Sequence, residues 1–474
     1  MDLHRLSEFV ARMWQDSILP ALSEYIRIPN QSSAFDPDWQ ETGHTDRAAQ
    51  LLLTWVESLA APGVRAKTLR LPGRAPLLWI EVDGHSDERV LMYGHFDKQP
   101  PFEGWESGLS AWEPVLRGRR LYGRGSADDG YALFSSLCAL LALRDQGALH
   151  ARTLILIEGS EESGSPDLPA YVEAFGEQIG RPSLVICLDA ECGDSERLWC
   201  TTSLRGYLNG YLRVEVLRAG VHSGVASGLA ASSFFITRQL LSRVENPETA
   251  RITLDALGGE PPPEFRTRAR ATAEVLGSRL FHKLQFAGST EPLSPDLVEL
   301  VLNNTWRPAL SVIGAEGLPA ARTAGNVFLP ATTLKLSFRL APSADSEQAA
   351  SAVKAALEAD PPYSANVQFS PEARADGWSA TALPAWLETA IAAASRASFG
   401  AEPCYWGEGG SIPFIGMLAR RFPEASFVVT GALGPDSNAH GPNEFLDLDG
   451  AAKVTECVAQ ILAAHATRRE RGGA

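Results

Sequence analysis

At 474 residues, 45% hydrophobic and 21% charged, the chain is longer than one core usually supports and has the balance of a folded globular protein with two domains. A formal net charge of −15 without any Lys/Arg cluster argues against a nucleic-acid surface. No apolar run reaches the length of a membrane span, and the N-terminal MDLHRLSEFVARMW reads as an amphipathic helix, not a signal peptide. The six cysteines show no close-paired metal spacing. A cytoplasmic protein with reduced, buried thiols is therefore expected, with Cys192 and Cys200, which flank a polar loop, the one pair to watch.

From residue 3 to about 60 the pattern is helical, broken by the turn-rich YIRIPNQSSAFDPD. LLWIEVDG at 77–84 and RVLMYGH at 89–95 have the length and composition of strands. The second ends in His95, with Asp97 two residues on; alternation along an extended chain lets both face one site. In RLYGRGSADDGYALFSSLCALLALRDQG a glycine-rich turn carrying Asp128 and Asp129 leads into a long apolar helix. TLILIEGSEESGS reads as a buried strand ending in Glu161 and Glu162, and SLVICLDAECGD repeats the design with Asp189 and Glu191. Strands alternating with helices predict an α/β fold with a mostly parallel sheet flanked by helices. In such sheets ligands bind beyond the carboxyl ends of the strands.

The texture changes near residue 205. LRGYLNGYLRVEVLRA alternates like a half-exposed strand, followed by the helix ASSFFITRQLLSRV and a Pro- and charge-rich stretch to about 300. NVFLPATTLKLSFRLAP alternates again before the amphipathic helix SEQAASAVKAALEAD, which suggests a small α+β domain covered on one face. From about 377 the helix PAWLETAIAAASRASFG and the strand SFVVTGAL, before GPDSNAHGPNE, return to the first pattern. A small domain at 205–376 is thus expected to be inserted into a larger one formed by 1–204 and 377–474. The terminal RRERGG reads as a solvated end.

His95, Asp97, Asp128, Asp129, Glu161, Glu162, Asp189 and Glu191 gather at strand ends or turns of the first domain, and a late loop adds His440. Burying so many carboxylates near one rim is unfavourable unless cations neutralise them. Two divalent metals meet that need. Imidazole nitrogen with carboxylate oxygen suits zinc, and an open position on each ion leaves room for a bridging water and hydrolysis at neutral pH.

The strings YGHFDKQP, LYGRGSADDG, EGSEESGS and SNAHGPNE, in this order, resemble the signatures of the dinuclear zinc peptidases related to carnosine dipeptidase, aminoacylase and glutamate carboxypeptidase. The likeness extends to the inserted domain and the total length, and implies that 1–204 with 377–474 form the catalytic domain and 205–376 a lid or dimerisation domain. It implies two Zn2+ per chain, with Mn2+ or Co2+ as alternatives. His95 would be a ligand oriented by Asp97, and Asp128 would bridge both ions, followed by a cis peptide to Asp129. Glu162 and His440 would complete one metal site and Asp189 with His95 the other, leaving Glu161 as general base.

In the inserted domain, AGVHSGVASG resembles the family segment whose histidine contacts the substrate carbonyl oxygen across a dimer interface. This makes His222 an oxyanion stabiliser and the protein a homodimer. Arg339 in LKLSFRLAP resembles the arginine that holds a substrate carboxylate. GEGGSIPF resembles the substrate loop, with Gly409, Gly410 and Ser411 offering donors to the peptide terminus. Many relatives read Asp-Asp-Lys-Gly where this chain has Asp128-Asp129-Gly130-Tyr131, which alters local charge and pocket shape. Glu191 rivals Asp189 as a ligand; Asp189 follows the apolar run directly.

An aspartate at this position is implied by analogy for dipeptidases, whereas carboxypeptidases and deacylases tend to carry glutamate. The expected function is therefore metal-dependent hydrolysis of dipeptides or small peptides. An N-acyl amino acid amidohydrolase or carboxypeptidase on the same metals is the alternative. A catalytically silent peptide-binding scaffold is disfavoured, since every presumed ligand and Glu161 are present.

Overall fold

The computed structural model describes residues 1–468; the rest of the RRERGG tail lies outside them. Its central sheet has nine strands. Seven follow the order Val64–Leu69, Leu77–Val82, Arg152–Glu158, Arg89–His95, Pro182–Cys187, Ser426–Val429 and Trp199–Leu204. Arg152–Glu158, Arg89–His95, Pro182–Cys187 and Ser426–Val429 run parallel to one another, and antiparallel strands are added toward the edges.

These strands are apolar on both sides because helices cover both faces. Along Arg89–His95, Val90 and Met92 face one layer, and Leu91 and Tyr93 the other; Pro182–Cys187 divides in the same way. The first layer contains the helices His44–Ser58, Ala132–Asp145, Ala385–Phe399 and Leu448–Thr467, and the second Leu168–Ala174 and Pro413–Arg421. Each fully buried Leu or Ile contributes about 1.5–3 kcal/mol. The helix Ala132–Asp145 lies so close to its strand that a Cβ on Gly94 would stand 2.4 Å from that of Ala132.

A separate four-stranded antiparallel sheet has the order Ala309–Glu316, Ala331–Leu340, Gly206–Glu215, Asn366–Ala375. Strict alternation divides its faces. Leu208, Leu212, Leu336 and Phe338 pack on the helices Ser233–Leu241 and Ser346–Glu358, while Tyr207, Asn209, Ser337 and Arg339 point to the opposite side. The stretch between 245 and 305, read from sequence only as Pro- and charge-rich, contains the helices Pro263–Leu276 and Leu297–Thr305. All six cysteines are free thiols, so Cys192 and Cys200 do not pair. No helix among the described residues is long and apolar enough to cross a membrane.

Candidate metal centre and substrate pocket

Parallel strands release their chains at one edge of the sheet, and three of them supply the candidate ligands. His95 is the last residue of its strand; Glu161 and Glu162 form a 3-10 turn just after Arg152–Glu158; Asp189 follows Pro182–Cys187. Asp128 comes from the turn before Ala132–Asp145, with a cis peptide bond to Asp129, and His440 from the loop after Ser426–Val429.

Asp128 lies at the centre. Its Oδ1 is 3.1 Å from His95 Nε2 and its Oδ2 is 3.0 Å from His440 Nε2. His95 Nε2 is also 3.8 Å from Asp189 Oδ1, and His440 Nε2 is 3.1 Å from Glu162 Oε2. Ligand atoms of His95, Glu161 and Asp189 lie within 4.8 Å of one another, as do those of His95, Asp128 and Glu162. One carboxylate with an imidazole on each oxygen, flanked by further carboxylates, is a donor set that fits two divalent ions.

Asp97 supports this arrangement from beneath. The Nδ1 of His95 lies 3.1 Å from the Asp97 carbonyl oxygen and 3.5 Å from its carboxylate, which leaves Nε2 free to face the cluster. The same carboxylate accepts hydrogen bonds from the backbone N–H groups of Glu161 and Glu162, at 3.0 Å each. Glu162 also accepts one from Gln99 Nε2 at 2.6 Å.

The electrostatics express crowding. Burial and the nearby Asp189 raise the Glu161 carboxyl well above its usual range, and burial and Asp128 push Glu162 up to about 7. Burial likewise raises Asp189. Burial works against the charged form of His440, but Asp128 and Glu162 outweigh it and lift it to about 11. Asp128 is held well below the usual carboxylate range: its burial is overcome by His440 and His95. Acids this close ionise together only when cations face them.

The cluster forms one wall of a cavity of about 770 Å³. Tyr207, Asn209, Ser337 and Arg339 also line it, as do Gly410 and Ser411. Arg339 Nη1 donates to Ser411 Oγ at 3.3 Å. Gly409 turns away, its carbonyl accepting from Arg205 Nε at 3.1 Å. His222 is exposed and is not among the residues lining the cavity of its own chain; its Nδ1 accepts from Gly224 N at 3.1 Å.

Sequence reasoning passed over Gln99, Tyr207, Asn209 and Glu408. Glu408 was readable, since it stands inside GEGGSIPF; it lines the cavity, accepts from Thr201 Oγ1, and is pushed up to about 8 by burial and by Glu191. Tyr207 and Asn209 carried no motif, only their alternation on a half-exposed strand. The unusual Gly130-Tyr131 pair also acquires a reason. A Cβ on Gly130 would stand 2.3 Å from Gly125 O, and the Tyr131 hydroxyl donates to Leu188 O and accepts from Ala432 N at 2.8 Å. Tyr131 thereby braces the strand end that carries Asp189.

Comparison with known proteins gives a consistent result. The family model for peptidase family M20/M25/M40 matches residues 91–464. The chain is 26% identical over 385 residues to the cysteinylglycine-S-conjugate dipeptidase of Corynebacterium striatum, spanning 79% of this chain and 80% of that protein. It is 28% identical over 374 residues to the Cys-Gly metallodipeptidase of Saccharomyces cerevisiae, spanning 77% and 76%. Human carnosine dipeptidase 1 shares the fold, with a TM-score of 0.77 over 98% of this chain and 99% of that one, at 20% sequence identity.

Proposed function

The chain belongs to peptidase family M20/M25/M40 and is a metallopeptidase, and from that premise we propose that it hydrolyses dipeptides with the help of two zinc ions, for which manganese or cobalt can substitute. The observation that carries this reading is Asp128 between two imidazoles, lining a cavity that Arg339 also lines. A two-metal acid cluster and a lone guanidinium suit a substrate with an amide to cleave and a carboxylate to hold.

His95, Asp128 and Asp189 would hold one ion, and Asp128, Glu162 and His440 the other. The pair, when bound, supplies a Lewis acid for the scissile carbonyl and acidifies a water. Glu161 takes the proton of the attacking water onto its carboxylate and returns it to the leaving amine. Asp97 keeps Glu161 and Glu162 in their divergent orientations through the two backbone N–H groups. Arg339 forks onto the substrate carboxylate, and Gly410 and Ser411 offer polar groups beside it. His222 donates to the developing oxyanion from a second copy of the chain, within a homodimer formed through the inserted domain 205–376. Reduced thiols fit a cytoplasmic setting.

The test is hydrolysis of a panel with Zn2+ or Mn2+ added: free dipeptides such as Cys-Gly, the same dipeptides blocked at either end, and N-acetyl amino acids. The expected result is turnover of the free dipeptides and loss of turnover on blocking. A preference for the N-acetyl set would instead make the enzyme a deacylase.

A further inference from the structure

Behind the candidate ligands lies a fully buried ion pair. Arg124 is 1% exposed and Glu444 is 0% exposed, with Arg124 Nη1 2.7 Å from Glu444 Oε2. Such a pair is a poor stabiliser in itself, because desolvating both charges offsets most of their attraction. Its other bonds suggest a different use. Glu444 Oε2 also accepts from Gly125 N at 3.1 Å, and Oε1 accepts from Ala127 N at 3.1 Å and Asp128 N at 3.2 Å. Arg124 Nη2 donates to Gly441 O at 2.6 Å, and Nε donates to Pro100 O at 3.1 Å. The two side chains thus tie together the segments that carry Asp97, Asp128 and His440.

We propose that Arg124 and Glu444 are positioning residues that set the relative placement of Asp128 and His440, and so govern the ion these two ligands share with Glu162. The inference rests on the two-ion reading above. A second observation supports it independently. The loop holding His440 has three residues with side chains in the left-handed region: Asn438 at φ 55°, His440 at 58° and Asn443 at 63°. Asn and His tolerate this conformation better than most residues with side chains, but three of them within six positions still need their surroundings to hold them there. Here Arg124 grips the loop at Gly441, and Glu444 closes it against the Asp128 turn, with Gly123 N donating back to Glu444 O at 3.0 Å. The ion between Asp128, Glu162 and His440 depends on the pair through two ligands. The ion between His95, Asp128 and Asp189 depends on it through one, because His95 and Asp189 stand at strand ends.

The experiment is calorimetric titration of Mn2+ into the metal-stripped full-length chain, with elemental analysis for ions retained and near-UV circular dichroism for the fold. Wild type should take up two ions. Glu444→Gln keeps the shape but turns an amide N–H toward donors; it should keep native dichroism, hold one ion as before and weaken for the other by about 10- to 100-fold, the range known for groups that orient ligands. Excess Mn2+ should restore the missing ion. Two native affinities, or equal weakening of both ions, would overturn the proposal. Should Glu444→Gln fail to fold, Arg124→Lys keeps the buried charge paired but cannot fork to Gly441 and Pro100, and the same selective weakening decides the matter. A wild-type chain that binds fewer than two ions overturns the two-ion reading and this inference with it. Two ions in wild type together with two unaltered ions in the variants overturn this inference alone.

Discussion

Glu161 and Glu162 show how one short turn can serve two tasks. Asp97 fixes both backbone N–H groups, so the side chains diverge: Glu162 meets His440, while Glu161 stands among His95 and Asp189. Glu161→Gln keeps shape and hydrogen-bonding reach but removes the proposed proton acceptor. It should retain both metals in elemental analysis and lose about 10²- to 10⁴-fold in kcat; near-native turnover would move the base elsewhere. Tyr131 is a structural counterpart. Its buried hydroxyl satisfies Leu188 O and Ala432 N, so Tyr131→Phe should cost about 1–3 kcal/mol for each buried group left unpaired. Denaturant unfolding measures this, and an unchanged midpoint would show that the two groups find other partners. The adjacent glutamates were legible from sequence because an apolar run ended in them. The clamps made by Asp97, Arg124 and Glu444 were not, since most of their partners are backbone N–H and C=O groups and several lie more than 300 residues away.

At the scale of elements, parallel strands converge acids that would repel one another without cations. In the metal-free chain Glu162 sits at about 7 against an ordinary 4.5, with Glu161 and Asp189 shifted in the same direction. A group whose folded value is raised binds protons more readily folded than unfolded, so it favours the fold below its ordinary value and loses that contribution as pH rises through the folded value. His440, lifted to about 11, has the same sign over a higher range; Asp128 has the opposite sign, with its contribution lost only in strong acid. Metal-stripped protein should therefore melt at progressively lower temperature from about pH 4.5 to pH 7 and beyond. The rise in Tm on adding Zn2+ should grow with pH, because protons and metal compete for the same ligands. Calorimetry at several pH values checks this, and a metal-induced rise that shrinks toward pH 7 would contradict the cluster's assignment. The same strands were readable because both of their faces are buried. Pro263–Leu276 was missed because its covered face is largely small residues, Ala269, Thr272 and Ala273, beneath a charged exterior. Asn366–Ala375 was missed because PEARA lies on a sheet edge, where alternation fades.

At the scale of the whole molecule, His222 is exposed and is not among the residues lining the cavity of its own chain. Several apolar side chains near it in the chain are exposed, Val225 at 66%, Leu229 at 86% and Phe234 at 47%, and so are Val312 and Ile313 on the edge strand Ala309–Glu316 of the same inserted segment. Exposed apolar side chains in such number are what a protein–protein contact would cover. Two copies related by a twofold axis would each lend the other the same groups. If His222 serves the partner's cavity, two inactive variants can repair one another. In a dimer of a Glu161→Gln chain with a His222→Ala chain, the first cavity lacks both groups. The second retains its own Glu161 and receives an intact His222 from its partner. Equal mixing with subunit exchange makes half of the dimers mixed, each with one working site, so activity should recover to about a quarter of wild type. Sedimentation of the mixture shows whether dimers form and exchange. Exchanged dimers that stay inactive would mean that His222 acts in its own chain, and a His222→Ala chain that is active by itself would mean that His222 takes no part.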